Sequence, residues 1–277
     1  MSAEQSNLSV HGRAWFEALS GQNGVVAGGP ASVLKADATL DGETVRFLAV
    51  VPDPESRFPR ARKGEVGLEQ GWTLAKYVRE TIEADKGGNP RPIIAVVDVP
   101  SQAYGRCEEL IGIYLACAAA VDAYATARMA GHPVIALLVG KAMSGAFLAH
   151  GYQGNRILAL DDPGVMVHAM GKAAAARVTK RSVEELDALG ETVIPMSYDI
   201  RNYAKLGLLH KVIKGITSDS LDTASVELVR LELQAAIADT RAGKRDLSVR
   251  LESEAAKTVR HASIEVRKRL IEQWPST

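Results

Sequence analysis

The chain has 277 residues, and its 33 Lys and Arg balance its 33 Asp and Glu, so the formal net charge at pH 7 is zero. This balance excludes the overall basic surface by which many proteins bind nucleic acid or acidic membranes. Two cysteines exclude a disulfide scaffold, and no Cys/His spacing in the sequence predicts a metal site.

The first half of the chain alternates predicted helices and strands. Residues 1–10 are polar and predict no secretory leader, and no apolar stretch reaches the roughly 20 residues that cross a bilayer. We therefore expect a globular cytoplasmic protein. The predicted elements are a helix at 11–19, a Gly-rich loop at 24–30, a strand at 44–51, an exposed basic loop at 52–64, a helix at 68–84 and a buried strand at 93–99.

The same alternation continues and then gives way to helices. The predicted elements are a long helix at 107–129, a buried strand at 134–139, a turn at 140–143, a helix at 144–150, and short strands at 157–160, 165–167 and 211–213. Residues 218–242 and 247–273 predict charged helices. Short Gly/Pro connections between strands and helices are typical of an α/β chain with parallel strands. We expect one domain over 1–277, with 218–277 as a mostly helical outer layer or arm.

The most informative segment joins the strand at 134–139 to the helix at 144–150, which begins with the small residues Gly145 and Ala146. The first N–H groups of a helix have no acceptor within it and carry the positive end of the helix dipole. These two amides are therefore a candidate oxyanion site. The alternative is a tight strand–helix junction without a ligand.

Two further residues are open to two interpretations each. Gly105, in the turn after the strand at 93–99, either lets a ligand approach the backbone or only permits a positive φ. His168, at the end of a short strand, is either a hydrogen-bonded core residue or a residue that faces a reaction pocket.

Ser144 raises a rival hypothesis, a serine hydrolase. The segment 142–146 is similar to a nucleophile elbow, and His168 and His210 lie downstream. Alanine replaces both outer glycines of that motif, however, and most serines at a helix start are N-caps. The hydrolase is therefore the second hypothesis, and a non-catalytic scaffold is the third.

Several of these segments resemble the C-terminal half of the biotin-dependent acyl-CoA carboxyltransferases. The similarity lies in Val97-Asp98-x-Pro100, Gly105, Glu109, Gly112, Ala123-Tyr124, Pro133 and Lys141-Ala142-x-x-Gly145-Ala146-Phe147. The segment 13–19, Arg-Ala-Trp-Phe-Glu-Ala-Leu, and the short length are more similar to the gamma subunits of biotin-independent malonate decarboxylases. The resemblance covers most of residues 10–215.

The resemblance implies a crotonase-like α/β fold, a superhelix of stacked ββα units, here with extra C-terminal helices. It also implies an activity: with a homologous beta subunit, the chain forms the site that decarboxylates a malonyl thioester to an acetyl thioester and CO₂. The implied partners are that beta subunit, an alpha transferase subunit, and an acyl carrier protein with a CoA-like prosthetic group. The chain itself is expected to bind no cofactor and no biotin.

The resemblance also assigns roles to single residues. The backbone amides of Gly145 and Ala146 correspond to the family's second oxyanion hole, and Gly105 corresponds to the glycine of its first turn. Two positions differ from the carboxyltransferases, since Ser144 replaces a glycine and Tyr104 stands where proline is usual. We expect Ser144 and Tyr104 to hydrogen-bond the substrate carboxylate, with His168 as a further candidate. The basic loop could then face the acidic carrier.

Overall fold

The computed structural model describes residues 10–274. The prediction that residues 1–10 form no secretory leader therefore lies outside the described residues, except for Val10. No helix within 10–274 is long and apolar enough to cross a membrane. The strands are β1 (Val33–Leu40), β2 (Glu43–Val50), β3 (Ile93–Val99), β4 (Val134–Met143), β5 (Arg156–Leu160), β6 (Met166–His168) and β7 (Lys211–Ile213).

Helices connect and cover these strands. Those that precede β5 are α1 (His11–Ser20), α2 (Leu68–Ala84), α3 (Arg106–Ile111), α4 (Ile113–Ala130) and α5 (Ser144–Ala149). Those that come after it are α6 (Lys172–Thr179), α7 (Val183–Thr192), α8 (Ile200–Lys205), α9 (Thr223–Ala242), α10 (Val249–Glu252), α11 (Glu254–Val259) and α12 (His261–Gln273).

Within the described residues, the strands form one seven-stranded sheet with the order β1-β2-β3-β4-β5-β7, and β6 pairs with the end of β4. β1 and β2 are antiparallel, and every other pair is parallel. All seven residues of β3 are buried, which requires cover on both faces of the sheet. The α/β prediction with parallel pairing is therefore confirmed.

The first helix anchors the N-terminal part of the chain to the sheet. Trp15, Phe16 and Leu19 are buried at the spacing that the sequence predicted, and α1 packs against β2, β3 and β4. The indole Nε1 of Trp15 also donates to the carbonyl oxygen of Ser218 at 2.8 Å, which ties the segment before α9 to this helix. Val229 and Leu233 of α9 are buried, whereas α12 has no buried residue.

Several predicted boundaries are wrong for identifiable reasons. The helix predicted at 107–129 is two helices, because Gly112 adopts a left-handed φ of 93° between α3 and α4. The turn predicted at 140–143 is strand, because the end of β4 pairs with β6. The helix predicted at 247–273 is broken into α10, α11 and α12, with Ser253 as the N-cap of α11.

The buried carboxylate of Asp98 connects α1 to strands β3 and β4 of the sheet. Asp98, at the end of β3, accepts hydrogen bonds from the backbone N–H groups of His11 (3.0 Å), Gly12 (3.2 Å) and Lys141 (2.9 Å). A negative charge at the first amides of a helix is stabilising. Gly140 lies so close that a Cβ there would stand 2.2 Å from Asp98 Oδ1, so glycine is required at this position.

The same carboxylate coincides with an irregularity in the sheet. The β3–β4 register is regular to Val97–Leu138 and resumes at Val99–Ala142, so three residues of β4 lie opposite Asp98. Such a bulge bends a strand and changes the direction of the residues after it. In this protein the bulge directs the end of β4 towards β6, and α5 begins directly after that end.

We expect Asp98→Ala to lower the free energy of unfolding by about 3–5 kcal/mol, because it leaves buried amide donors without their charged acceptor. Urea unfolding, followed by circular dichroism, measures this change. Asp122→Ala is the control, since Asp122 is exposed and its ion pair with Arg79 is worth at most about 1 kcal/mol. An Asp98→Ala variant as stable as the control would contradict the anchoring role.

Candidate functional site

The site is built around Ser144, where β4 passes directly into α5. Because the strand ends at Met143 and the helix starts at Ser144, the change of direction falls on one residue, and Ser144 has a φ of 59°. A left-handed backbone is unfavourable for a residue with a Cβ, and such strain clusters at functional sites. The same backbone also occurs in a nucleophile elbow, so the partners of the hydroxyl must decide between the two hypotheses.

The partner of that hydroxyl is Tyr104. Its phenol oxygen lies 2.8 Å from Ser144 Oγ, although the two residues are forty positions apart. Tyr104 follows β3 and Ser144 follows β4, and the carboxyl ends of adjacent parallel strands meet at one edge of a sheet. Tyr104 is 53% exposed, so the hydroxyl pair faces outward from that edge. The structure thus brings together the two residues that the sequence predicted as carboxylate donors.

Gly145 follows Ser144 and is in close contact with a residue that sequence reasoning missed. A Cβ at Gly145 would stand 1.9 Å from Oε1 of Gln102, whose side chain therefore packs directly on the glycine. Gln102 is held in turn through its neighbours, because the backbones of Ser101 and Ala103 hydrogen-bond to Val66. The signal that could have found Gln102 was its place in the same turn as Tyr104.

The two predicted oxyanion residues differ in accessibility. Gly145 is partly exposed and lines a cavity, whereas Ala146 is fully buried behind it. Both lie in the first turn of α5, where no preceding helical carbonyl is available to their N–H groups. The amide of Gly145 is therefore the better placed of the two to meet a ligand.

The far end of α5 is fixed by His150, which is completely buried. Its Nδ1 lies 3.0 Å from the Tyr124 hydroxyl, and its Nε2 lies 3.0 Å from the carbonyl oxygen of Val96. Burial lowers the pKa of His150 to about 4, so the imidazole is neutral at pH 7. It thereby connects α5 to α4 and β3 without placing a charge in the core.

A cavity of about 590 Å³ opens beside the hydroxyl pair. Its volume lies in the range that holds a small organic ligand. Ser144, Gly145 and His168 line it together with mainly apolar side chains. The apolar wall comprises Phe147, Leu148, Tyr152, Val167, Ala169, Ile194, Pro195, Met196, Tyr203, Leu206 and Leu208. Much of this wall comes from residues 194–208, a segment for which the sequence pattern predicted no element.

His168 fits both interpretations that the sequence left open. Its Nδ1 lies 3.3 Å from the backbone nitrogen of Met170, its ring stacks on Tyr198 with centroids 4.0 Å apart, and it also lines the cavity. Burial lowers its pKa, so His168 is neutral at pH 7 and can act there as a dipole or proton carrier rather than as a fixed cation.

Gly105 is not brought into this cavity. Its φ is −176°, which is extended backbone, so the interpretation as a positive-φ turn is wrong. A Cβ on Gly105 would stand 1.9 Å from Oε2 of the buried Glu108. Gly105 therefore makes room for the carboxylate of Glu108 at the start of α3.

The arrangement required for a serine hydrolase is not assembled. In the part of the chain that the structure describes, no histidine lies within hydrogen-bond distance of Ser144 Oγ. His168 has a backbone partner at Nδ1 rather than a carboxylate, and His210 faces Asp239 at 3.9 Å instead. Over residues 10–274 no group of three His, Cys, Asp or Glu side chains is placed to hold a metal ion.

We expect Ser144→Gly to be more stable than Ser144→Ala by about 1 kcal/mol. Both variants lose the hydroxyl, but only glycine relieves the cost of a left-handed backbone. Chemical denaturation of the two purified variants measures the difference. If alanine were as stable as glycine at this position, the strain at Ser144 would be disproved.

Comparisons with known proteins come from sequence and from structure. A sequence model of the malonate decarboxylase gamma subunit family matches residues 61–274. The malonyl-S-ACP:biotin-protein carboxyltransferase MADD of Malonomonas rubra is 38% identical over 168 residues. That match covers 59% of this chain, and the chain spans 58% of the length of this curated relative.

Solved structures agree with the sequence match. A Pseudomonas malonate decarboxylase hetero-tetramer in complex with coenzyme A contains a chain that is 60% identical, with a TM-score of 0.90 and coverage of 95% of this chain and 99% of that one. A Pseudomonas MdcD-MdcE hetero-dimer contains a chain that is 56% identical, with a TM-score of 0.88. The match covers 96% of this chain and 100% of that one. The transcarboxylase 12S core, at 20% identity and a TM-score of 0.63, covers 84% of this chain and 42% of that one and shares the crotonase-like fold.

Proposed function

The chain belongs to the malonate decarboxylase gamma subunit family, and on that premise we propose that it forms, with a homologous beta subunit, the site that decarboxylates a malonyl thioester to an acetyl thioester and CO₂. The observation that carries the proposal is the Tyr104–Ser144 hydroxyl pair, 2.8 Å apart, whose Ser144 lines a cavity together with Gly145. We place the reaction in the cytoplasm.

The hydroxyl pair offers a single donor to the substrate. Each hydroxyl carries one hydrogen, and one of the two is used in the bond between Tyr104 and Ser144. The other hydrogen is free to donate to a carboxylate oxygen of the malonyl group. This contact orients the carboxylate, and the adjacent cavity receives the thioester.

The reaction moves negative charge from the carboxylate to the thioester. When the C–C bond breaks, its electron pair leaves CO₂ and forms an enolate, whose oxygen carries the charge until the carbon is protonated. A backbone N–H aimed at that oxygen lowers the barrier, and loss of one such donor costs about 3–4 kcal/mol in oxyanion holes. We assign this role to Gly145, with Ala146 as the adjoining amide.

The wall of the cavity favours loss of charge from the carboxylate. The residues that line it include no Lys or Arg, and His168 is neutral at pH 7 because burial lowers its pKa. A carboxylate held by the adjacent hydroxyl pair therefore meets no cation from this lining, whereas its product, CO₂, is neutral. The charge is better stabilised at the enolate oxygen, close to the amides of α5.

The partner subunit is proposed from the surface beside the hydroxyl pair. Large apolar side chains are exposed on α2, α3 and α4, namely Trp72, Leu110, Ile111, Tyr114 and Leu115. An apolar surface of this kind indicates a protein interface. The Pseudomonas relatives form a hetero-dimer and a hetero-tetramer. We infer that the beta subunit covers this face and completes the site.

The substrate is proposed to arrive on the CoA-like arm of an acyl carrier protein, loaded by an alpha transferase subunit. A Pseudomonas relative is in complex with coenzyme A. In the basic loop, Arg57 is held by Glu69 at 2.7 Å, while Arg60 and Lys63 are exposed and can face an acidic carrier. We propose that no biotin takes part, unlike in the Malonomonas relative, so added avidin should leave the activity unchanged.

The complex tests this proposal directly. We expect CO₂ release from malonyl thioester only when the chain is combined with its beta subunit, because each supplies part of the site. Tyr104→Phe and Ser144→Ala should each lower kcat of the complex by about 10- to 100-fold, and the double variant should lose less than the product of both, since they share one hydrogen bond.

Controls separate this result from a loss of folding or assembly. Tyr77→Phe removes the hydroxyl of a buried tyrosine on α2 that lies outside both the cavity and the exposed apolar face, and it should keep full turnover. Full activity of the chain alone would refute the two-subunit proposal. Labelling of Ser144 by a fluorophosphonate probe would favour the hydrolase instead.

A valine at Gly145 tests the scaffold hypothesis. The added Cβ would displace Gln102, and the side chain would block the cavity beside the amide. We expect Gly145→Val to abolish turnover while the complex still assembles, as judged by size-exclusion chromatography. Gly88→Val, where the nearest atom would be a backbone oxygen at 3.6 Å, is the matched control. Unchanged turnover in Gly145→Val would support a scaffold.

A further inference from the structure

A second cavity, of about 260 Å³, lies at the opposite end of β4 from Ser144. It is lined by the residues just before β4 (Gly131, His132 and Pro133), by Arg128 near the end of α4, and by the segment after α9. The ten residues of β4 separate it from the decarboxylation site by about 30 Å. None of the roles proposed above uses this cavity.

Arg128 is the unusual residue of this cavity. Its side chain is only 8% exposed, and no carboxylate lies within 4 Å of it in the described part of the chain. Nη1 donates to the carbonyl oxygen of Arg245 at 2.8 Å, but the buried Nε has no hydrogen-bond partner. A buried guanidinium without an anion is costly, because a charge and its donors have left water.

Two further arginines line the same cavity. Arg245 donates from Nη1 to the carbonyl oxygen of Met129 at 3.1 Å and, like Arg128, forms no ion pair within residues 10–274. Its guanidinium lies against Gly131, where a Cβ would stand 3.2 Å from Nη2. Arg241 is held by Glu43.

No acidic group nearby forms an ion pair with Arg128 or Arg245 within residues 10–274, so the positive charge is only partly neutralised. Glu43 is committed to Arg241, and Asp246, which attracts Arg128, accepts a hydrogen bond from the backbone N–H of Ser248 at 2.9 Å. Each of Arg128 and Arg245 uses one guanidinium nitrogen, Nη1, to donate to a backbone carbonyl oxygen. Besides the buried Nε of Arg128, Nη2 of Arg128 and both Nε and Nη2 of Arg245 have no hydrogen-bond partner within the described residues.

We propose that this cavity binds a small oxyanion of the phosphate class, either the free ion or a phosphate monoester. Guanidinium groups bind phosphate through paired, charge-assisted hydrogen bonds. A dianion between Arg128 and Arg245 supplies the counter-charge that the buried guanidinium lacks. The ligand would also join the end of α4 to the segment after α9.

Calorimetric titration of the full chain with inorganic phosphate, at constant ionic strength, tests the proposal. We expect saturable binding that Arg245→Gln weakens at least tenfold. Arg245 is at the surface, so the variant should fold. Arg269→Gln, which removes an exposed arginine paired with Glu265 on α12, should bind as the unchanged chain does. Arg128→Met, which keeps the packing volume but removes the charge, should abolish binding.

Adenosine monophosphate in a parallel titration distinguishes the two sources of phosphate. Tighter binding of the nucleotide would support a phosphate ester, and tighter binding of inorganic phosphate would support the free ion. An absence of saturable binding by both, or equal affinity in the unchanged chain and Arg245→Gln, would overturn the proposal. A carboxylate of a partner subunit would then be the better candidate for this cavity.

Discussion

The position of the site depends on the buried carboxylate of Asp98. It accepts hydrogen bonds from the first amides of α1 and from Lys141 in β4, at the point where the β3–β4 register is interrupted. The interruption lets the end of β4 leave β3, pair with β6 and deliver Ser144 to the edge of the sheet. The strained backbone of Ser144 and its contact with Tyr104 result from that geometry. Through Asp98, helix α1 is thereby connected to the site around Ser144.

The proposed chemistry relies on placement rather than on a charged side chain. Ser144, Gly145 and the neutral imidazole of His168 line the cavity, and its remaining wall is mainly apolar. Such a site binds a malonyl carboxylate with little stabilisation and leaves the enolate oxygen as the better place for the charge. Tyr104 itself is exposed, as are apolar residues of α3 and α4. The proposed partner subunit would cover these side chains.

The sequence was sufficient to predict the parallel sheet and α1, and it placed Tyr104 and Ser144 after neighbouring strands. It could not show that Tyr104 and Ser144 touch, because a forty-residue separation carries no spacing signal. It missed β1, although Asp41-Gly42 is a typical two-residue hairpin turn with positive φ at both residues. It also missed the helices of 172–205, although Ser182 and Glu185 form the capping box that begins α7. The Arg128 cavity depends on tertiary contacts that no local pattern contains, whereas Gln102 could have been found from its place in the same turn as Tyr104.

In the proposed site the amide of Gly145 stabilises the enolate while the Tyr104–Ser144 pair holds the carboxylate. A crystal structure of the assembled complex with a stable malonyl thioester analogue tests it most directly. We predict the thioester oxygen within about 3.2 Å of the Gly145 nitrogen and a carboxylate oxygen within the same distance of the hydroxyl pair. An analogue bound without contact to Gly145, Tyr104 or Ser144 would contradict the account.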